Sequence, residues 1–151
     1  MAVTNYHKLT REALRTVLET ITNIDSVYSY RKAYEECSTF PSVSFYLESS
    51  KTDRQSPNTL SCIIEDIYTV YVYTQSSASL SASEQIEELD SQIRQALEDS
   101  NRLGDQSTTL GASFQWVDYD LVGISINPEK DDESQALAEL TVTARYRRNY
   151  R

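Results

Sequence analysis

Glycine, proline, cysteine, tryptophan and histidine are scarce in this chain of 151 residues, which holds three, three, two, one and one of them. The shortages of glycine, histidine and cysteine each exclude a chemistry. Phosphate cradles need clustered glycines that let the backbone approach the ligand; Gly104, Gly111 and Gly123 are scattered and form neither a P-loop nor a dinucleotide fingerprint. A nucleophilic triad needs a base. The one histidine, His7, falls in the first turn of a predicted helix with no cysteine or serine motif nearby, and it reads as a solvated side chain. Zinc is disfavoured by the same poverty of histidine and cysteine. Cys37 and Cys62 lie in neighbouring strand-like regions without metal-type spacing, which predicts free thiols in a reducing cytoplasm, a disulfide being the alternative. No apolar run approaches the roughly 18 residues needed to span a bilayer, and no basic-then-apolar N-terminal segment reads as a signal peptide. The expectation is a protein made in the cytosol, with no membrane partner, no cofactor, no metal and no enzymatic activity.

What the chain does have is acid and tyrosine. Fourteen lysines and arginines face twenty-three acids, for a formal net charge of −9, which argues against general affinity for nucleic acid because phosphate binding depends on clustered cations. The cations are unevenly spread, since Arg145, Arg147, Arg148 and Arg151 close an otherwise acidic chain. A basic end on an acidic body suits head-to-tail self-association. Eleven tyrosines supply apolar rings with polar tips, suited to strands and to interfaces that stay soluble before they pair. The length fits one domain, residues 1–151, able to bury roughly two-thirds of its unfolded surface.

Hydrophobic periodicity sets out the elements. Leu9, Ala13, Leu14, Val17, Leu18 and Ile21 form one helical stripe within residues 5–22. Turn residues Asn23, Asp25 and Ser26 follow, and then an extended segment from Val27 towards Tyr34. SVSFYLES after Pro41 alternates as a strand, with Val43, Phe45 and Leu47 on one face. The run from Ser49 to Thr59 has no apolar residue and reads as an exposed hairpin arm or mobile loop. CIIEDIYTVYVYT at 62–74 is a central strand, apolar on both faces: Ile64, Tyr68, Val70 and Val72 on one, Ile67, Tyr71 and Tyr73 on the other. Its second face needs a cover from a partner chain or from another part of this one.

Ser81 and Glu84 match a capping box that opens a second helix running to about Asn101, with the stripe Ile86, Leu89, Ile93, Ala96 and Leu97. FQWVDYDLVGISI reads as a strand with Val117, Tyr119 and Leu121 opposite Phe114 and Trp116. After the acidic loop NPEKDDES, the alternation of Ala138, Leu140, Val142, Ala144 and Tyr146 marks the last strand. Without β-α-β alternation the fold class is α+β, a mostly antiparallel sheet packed against two amphipathic helices in a single domain. Asp118 and Asp120 share one strand face and offer a magnesium-nuclease alternative, against the plainer reading of a solvated face or acidic pore lining.

This order of elements resembles the tail terminator, or tail completion, proteins of long-tailed bacteriophages. The resemblance is carried by LRTVLETITNIDSVYSY, PSVSFYLES, the polar arm, IYTVYVYTQS, SASEQIEELDSQIRQAL and LTVTARYRRNY, and covers nearly all 151 residues in pattern and order. It implies a hexameric ring at the junction of tail and neck of the virion. Such a ring binds the end of the tail tube, stops the polymerisation of tube protein and docks to the head connector protein while DNA passes through the hole. On that footing Arg145, Arg147, Arg148 and Tyr150 form one side of the subunit interface with Tyr71 and Tyr73 at the seam, the alternative being that these tyrosines lie under a helix of their own chain. Lys51, Asp53 and Arg54 form a tube-contacting arm. The acidic lumen falls to Asp131, Asp132 and Glu133, or to Glu87, Glu88 and Asp90. Another neck or head-completion adaptor, or an adaptor acting as a monomer, is the competing expectation.

Overall fold

The computed structural model describes residues 5–53, 61–77, 79–102, 114–126 and 135–149. In chain order the elements are α1 (Tyr6–Glu19), β1 (Ser26–Tyr28), a 3-10 turn (Tyr34–Glu36), β2 (Ser42–Asp53), β3 (Ser61–Gln75), α2 (Ala82–Arg102), β4 (Gln115–Ile126) and β5 (Gln135–Asn149). The architecture is α+β. The five strands form one sheet in the order β1-β2-β3-β5-β4, parallel between β1 and β2 and antiparallel at the other pairings.

Both helices begin where side chains can satisfy their first amides. Asn5 Oδ1 accepts from the Lys8 amide at 3.0 Å, and Ser81 Oγ accepts from the Glu84 amide at 3.2 Å while donating to Glu84 Oε1 at 3.0 Å. The α1 stripe buries Ala13, Leu14, Val17 and Leu18, and α2 buries Ile86, Leu89, Ile93 and Leu97. These join Val43, Phe45, Ile64, Tyr68, Val70, Val72, Leu140, Val142 and Tyr146 in one core cluster. α1 stops at Glu19, short of the expected residue 22, because the amides of Thr20 and Ile21 bond three residues back and tighten the chain into a turn that still buries Ile21.

Three features depart from simple alternation. The extended segment expected from Val27 to Tyr34 is a strand of only three residues, because beyond Tyr28 the backbone crosses over the sheet and bonds to side chains. The Lys32 amide donates to Ser44 Oγ at 2.9 Å, and Ser44 Oγ donates to the Tyr30 carbonyl at 2.6 Å. In β2, a register shift between Leu47 and Ser49 places Ser50 opposite Asp66. In β4, shifts between Trp116 and Asp118 and between Leu121 and Gly123 overturn the expected split: Trp116, Tyr119 and Leu121 share the helix-facing side. Their bonds to α2 settle the matter, since Trp116 Nε1 donates to Ser100 Oγ at 3.2 Å and the Tyr119 hydroxyl donates to the Asp90 side chain.

The shift in β2 serves a polar group in the core. Asp66 is fully buried on β3, and a buried carboxylate is tolerated where donors surround it. It accepts from Ser50 Oγ at 2.7 Å, from the Tyr146 hydroxyl at 3.1 Å and from His7 Nδ1 at 2.9 Å. His7 is therefore no free solvated side chain: 45% exposed, it ties the first turn of α1 to the sheet. Tyr6 stacks on Tyr146 beside it, ring centroids 5.8 Å apart. Asp66→Ala leaves the buried Tyr146 hydroxyl without its acceptor and releases Ser50 and His7, and an unfolding loss of about 1–3 kcal/mol is expected in urea titrations. His7→Ala, whose partner keeps two donors, is expected to cost about 1 kcal/mol.

Candidate functional site

The β3–β5 pairing divides the sheet into two unlike faces. Helix-side residues of β3 and β5 lie in the core cluster, whereas the opposite side presents Ile63, Glu65, Ile67, Thr69, Tyr71 and Tyr73 from β3 beside Arg147, Arg145, Thr143, Thr141, Glu139 and Leu137 from β5. Among the described residues neither α-helix lies over this second face. Ile63, Ile67, Tyr71 and Leu137 are half-buried there, and Thr69 and Thr143 are buried.

One end of this face is a tyrosine patch. Tyr46 lies 6.2 Å from Tyr71, and Tyr71 stacks on Tyr73 at 6.3 Å with 4° between the rings. The Arg31 guanidinium sits 6.0 Å from the centre of the Tyr46 ring, and Lys32 Nζ sits 3.9 Å from that of Tyr28, which in turn lies 5.7 Å from Tyr30. The segment that crosses over the sheet holds this end together. Tyr73, expected at an exposed seam, is buried instead within its own chain, and the cover is this segment with its 3-10 turn rather than α1 or α2: its hydroxyl donates to the Lys32 carbonyl at 2.6 Å and its ring meets Tyr34 edge to face at 5.4 Å. Tyr71 stays half-buried on the open face.

The other end carries the cations. Arg145 and Arg147 are exposed, Arg145 lying 3.9 Å from Glu65 of the adjacent strand, and Lys51 of β2 is exposed nearby. The partners of Tyr71 and Glu65 on β5, Glu139 and Arg145, lie six positions apart, or about 20 Å at strand rise. The structure therefore does not bring Arg145 and Arg147 together with Tyr71 and Tyr73. The cations beside the tyrosines are Arg31 and Lys32, which sequence reasoning missed because Tyr46 comes beside Arg31 only through strand pairing and Lys32 reaches Tyr28 only where the chain turns after β1.

The expected acidic side chains divide as well. Glu87 and Glu88 are exposed on α2, while Asp90 is half-buried and engaged by the Tyr119 hydroxyl, over whose ring Arg94 lies at 4.6 Å. Asp118 and Asp120 do share the open face of β4, opposite Thr143 and Thr141, and both are exposed. Groups of three or more histidines, cysteines or acids able to hold a metal ion do not occur among the described residues. β2 runs further than expected, into the polar arm as far as Asp53. Arg54, Asp131, Asp132, Glu133 and Tyr150 lie outside the described residues, as do the side chains of Asp53 and Arg148. Cys37 is half-buried, Cys62 is buried, and both are free thiols; Cys37 follows the 3-10 turn rather than lying in a strand. No helix in the described residues is long and apolar enough to cross a membrane.

The patch has a measurable signature. Burial, with the Cys37 thiol as a smaller cause, pushes the Tyr73 and Tyr34 hydroxyls up to about 12. Burial also raises Tyr68, next to Asp66, and Tyr119, bonded to Asp90. Below the ordinary tyrosine value of about 10 both folded and unfolded chains keep these protons; above it the unfolded chain loses them first. Folding stability is thus expected to hold up to about pH 10 and to fall steadily towards pH 12. Tyr73→Phe should flatten that fall while lowering stability at neutral pH through loss of the bond to Lys32, both read by urea unfolding across the alkaline range. A scan against protein-family models found no match to this chain, and a search of curated proteins found none either.

Proposed function

We propose that the protein is a ring-forming structural subunit of a phage tail, acting as a tail terminator. The observation that carries the reading is the contrast between the two faces of the sheet. In this reading two amphipathic helices pack on one face and the other is kept for a neighbouring copy. Its half-buried Ile63, Ile67, Tyr71 and Leu137 suit intermittent exposure: apolar enough to reward cover, and interspersed with Thr69, Thr141, Glu65 and Arg145 so that the free subunit stays soluble.

Charge supports the same conclusion. α2 contains six acids against Arg94 and Arg102, and the far end of the open face carries Lys51, Arg145 and Arg147. Two unlike lateral surfaces on one subunit make a heterologous contact, the kind that closes into a ring when the rotation between copies allows. An acidic lining to the hole, from the helix face with Glu87 and Glu88 or from the loop 131–133, passes a polyanion without retaining it. The arm beyond Lys51 contacts the tube protein and the opposite rim meets the head connector.

Negative-stain images of the purified protein should show annular particles. Host cells infected with phage lacking it should accumulate tails with overlong tube polymers. Normal-length tails beside unjoined, leaking heads would instead assign the protein to the head side of the neck, and a steady monomer mass at every concentration and salt would remove the ring altogether.

A further inference from the structure

We propose that the tyrosine patch around Arg31 and Lys32 is the seat for the acidic outer face of α2 from a second copy of this chain. The proposal rests on the ring reading and specifies its seam: Glu87 and Glu88 move from the hole to the contact between copies, which leaves the lumen to other acids.

The patch has the composition that carries binding energy at protein interfaces, tyrosine with arginine around an apolar centre. Tyr28, Tyr46 and Tyr71 are half-buried, and Tyr30, at 56% exposure, is among the most exposed large apolar side chains of the described residues. Arg31 and Lys32 lie against the rings of Tyr46 and Tyr28, so much of the freedom that a long cationic side chain loses on binding is already given up. The acids near the patch limit where an anionic helix can sit. Glu139 lies opposite Tyr71 across the β3–β5 pairing, and Glu35 and Glu36 occupy the 3-10 turn. The favourable quarter is therefore the one bounded by Tyr28, Tyr30, Arg31, Lys32 and Tyr46.

α2 supplies the complement. Glu84 is committed to the N-cap and Asp90 to Tyr119, whereas Glu87 and Glu88 are exposed side by side one turn into the helix. The two surfaces lie on opposite sides of the sheet: Tyr28 and Tyr46 are in register with the open face, and α2 bonds to β4 from the other. A copy using its α2 against the next copy's patch leaves its own patch free for a third. That front-to-back arrangement propagates in one direction until it closes.

The test uses the full-length chain, with sedimentation velocity over a concentration series at low and high salt and circular dichroism to check that each variant is folded. Arg31→Glu with Lys32→Glu, and separately Glu87→Lys with Glu88→Lys, should each weaken self-association by about tenfold or more. Each variant then carries two like-charged surfaces, but the two proteins complement one another at both contacts. Mixing them in equal amounts should restore assembly as rings of alternating subunits, weakened by salt as in the wild type. Folded variants that assemble as the wild type does, or a mixture that fails to regain what each has lost, overturn this seam while leaving rings through another surface in place. A wild-type chain that never associates overturns both this seam and the ring.

Discussion

The pairing of β3 with β5 is the constraint on which the rest of the molecule depends. Fifteen residues of each strand face one another without a break, from Ser61 opposite Asn149 to Gln75 opposite Gln135. Side chains alternate with period two, so a slip of one residue would carry Ile64, Tyr68, Val70, Leu140 and Val142 out of the core and Glu65 and Arg145 into it. The register is thus enforced on every residue of both strands. It also fixes the poles of the molecule: the arginines lie beside the end of β2 and the start of β3, and the tyrosines lie at the far end where α2 begins, its first turn held by the bond from Thr74 to the Ala82 carbonyl.

The flanking strands do not share this regularity, and their irregularities have a purpose. The shift in β2 turns Ser50 towards Asp66, giving the buried carboxylate a donor that strict alternation would have aimed outwards. The shifts in β4 turn Trp116, Tyr119 and Leu121 together towards α2, where Asn101 pairs with the Trp116 backbone, accepting from its amide at 2.8 Å and donating to its carbonyl at 2.7 Å. A bulged edge strand is also a poor template for uncontrolled pairing with other chains. That property suits the self-association proposed above, which uses a face rather than an edge. Val122 and Ile124, exposed on β4, lie on this protected edge.

What was legible in the sequence was whatever depends on period. The stripes of α1 and α2, the Ser81–Glu84 cap and the two-faced character of β3 follow from local spacing, and so do the α+β class and the central position of β3. A bulge leaves no such trace, because one extra residue in FQWVDYDL reads as unbroken alternation until a partner strand is present. Asp66 was equally hidden: in CIIEDIYTV it looks like half of an exposed acidic pair, and its donors come from residues 7, 50 and 146. Arg31 and Lys32 look like an ordinary charged turn until pairing of β2 with β1 and β3 sets Tyr28 and Tyr46 beneath them. The open face itself was foreseeable from the apolar second side of β3, but not the loop that claims Tyr73 for the chain's own interior.

The partial cover over Tyr73 bears on how such a face can wait for a partner. An isoleucine-rich sheet left bare would aggregate with any exposed strand or helix, whereas tyrosine offers similar contact area with a hydroxyl that water can satisfy. Here the gradient runs along one strand: Tyr73 is buried by the crossing segment, Tyr71 is half-covered, and Ile67 and Ile63 beyond them alternate with Thr69 and Glu65. The crossing segment therefore has two roles. It closes one corner of the sheet, and by closing it brings Tyr30, Arg31 and Lys32 next to Tyr28 and Tyr46 at the margin of the part left open. In the proposed assembly, cover and docking surface come from the same segment, so a subunit that failed to fold it would lose its seat for a neighbour at the same moment that it exposed Tyr73. The proposed ring would in that way admit only correctly folded copies, which closure with few subunits requires.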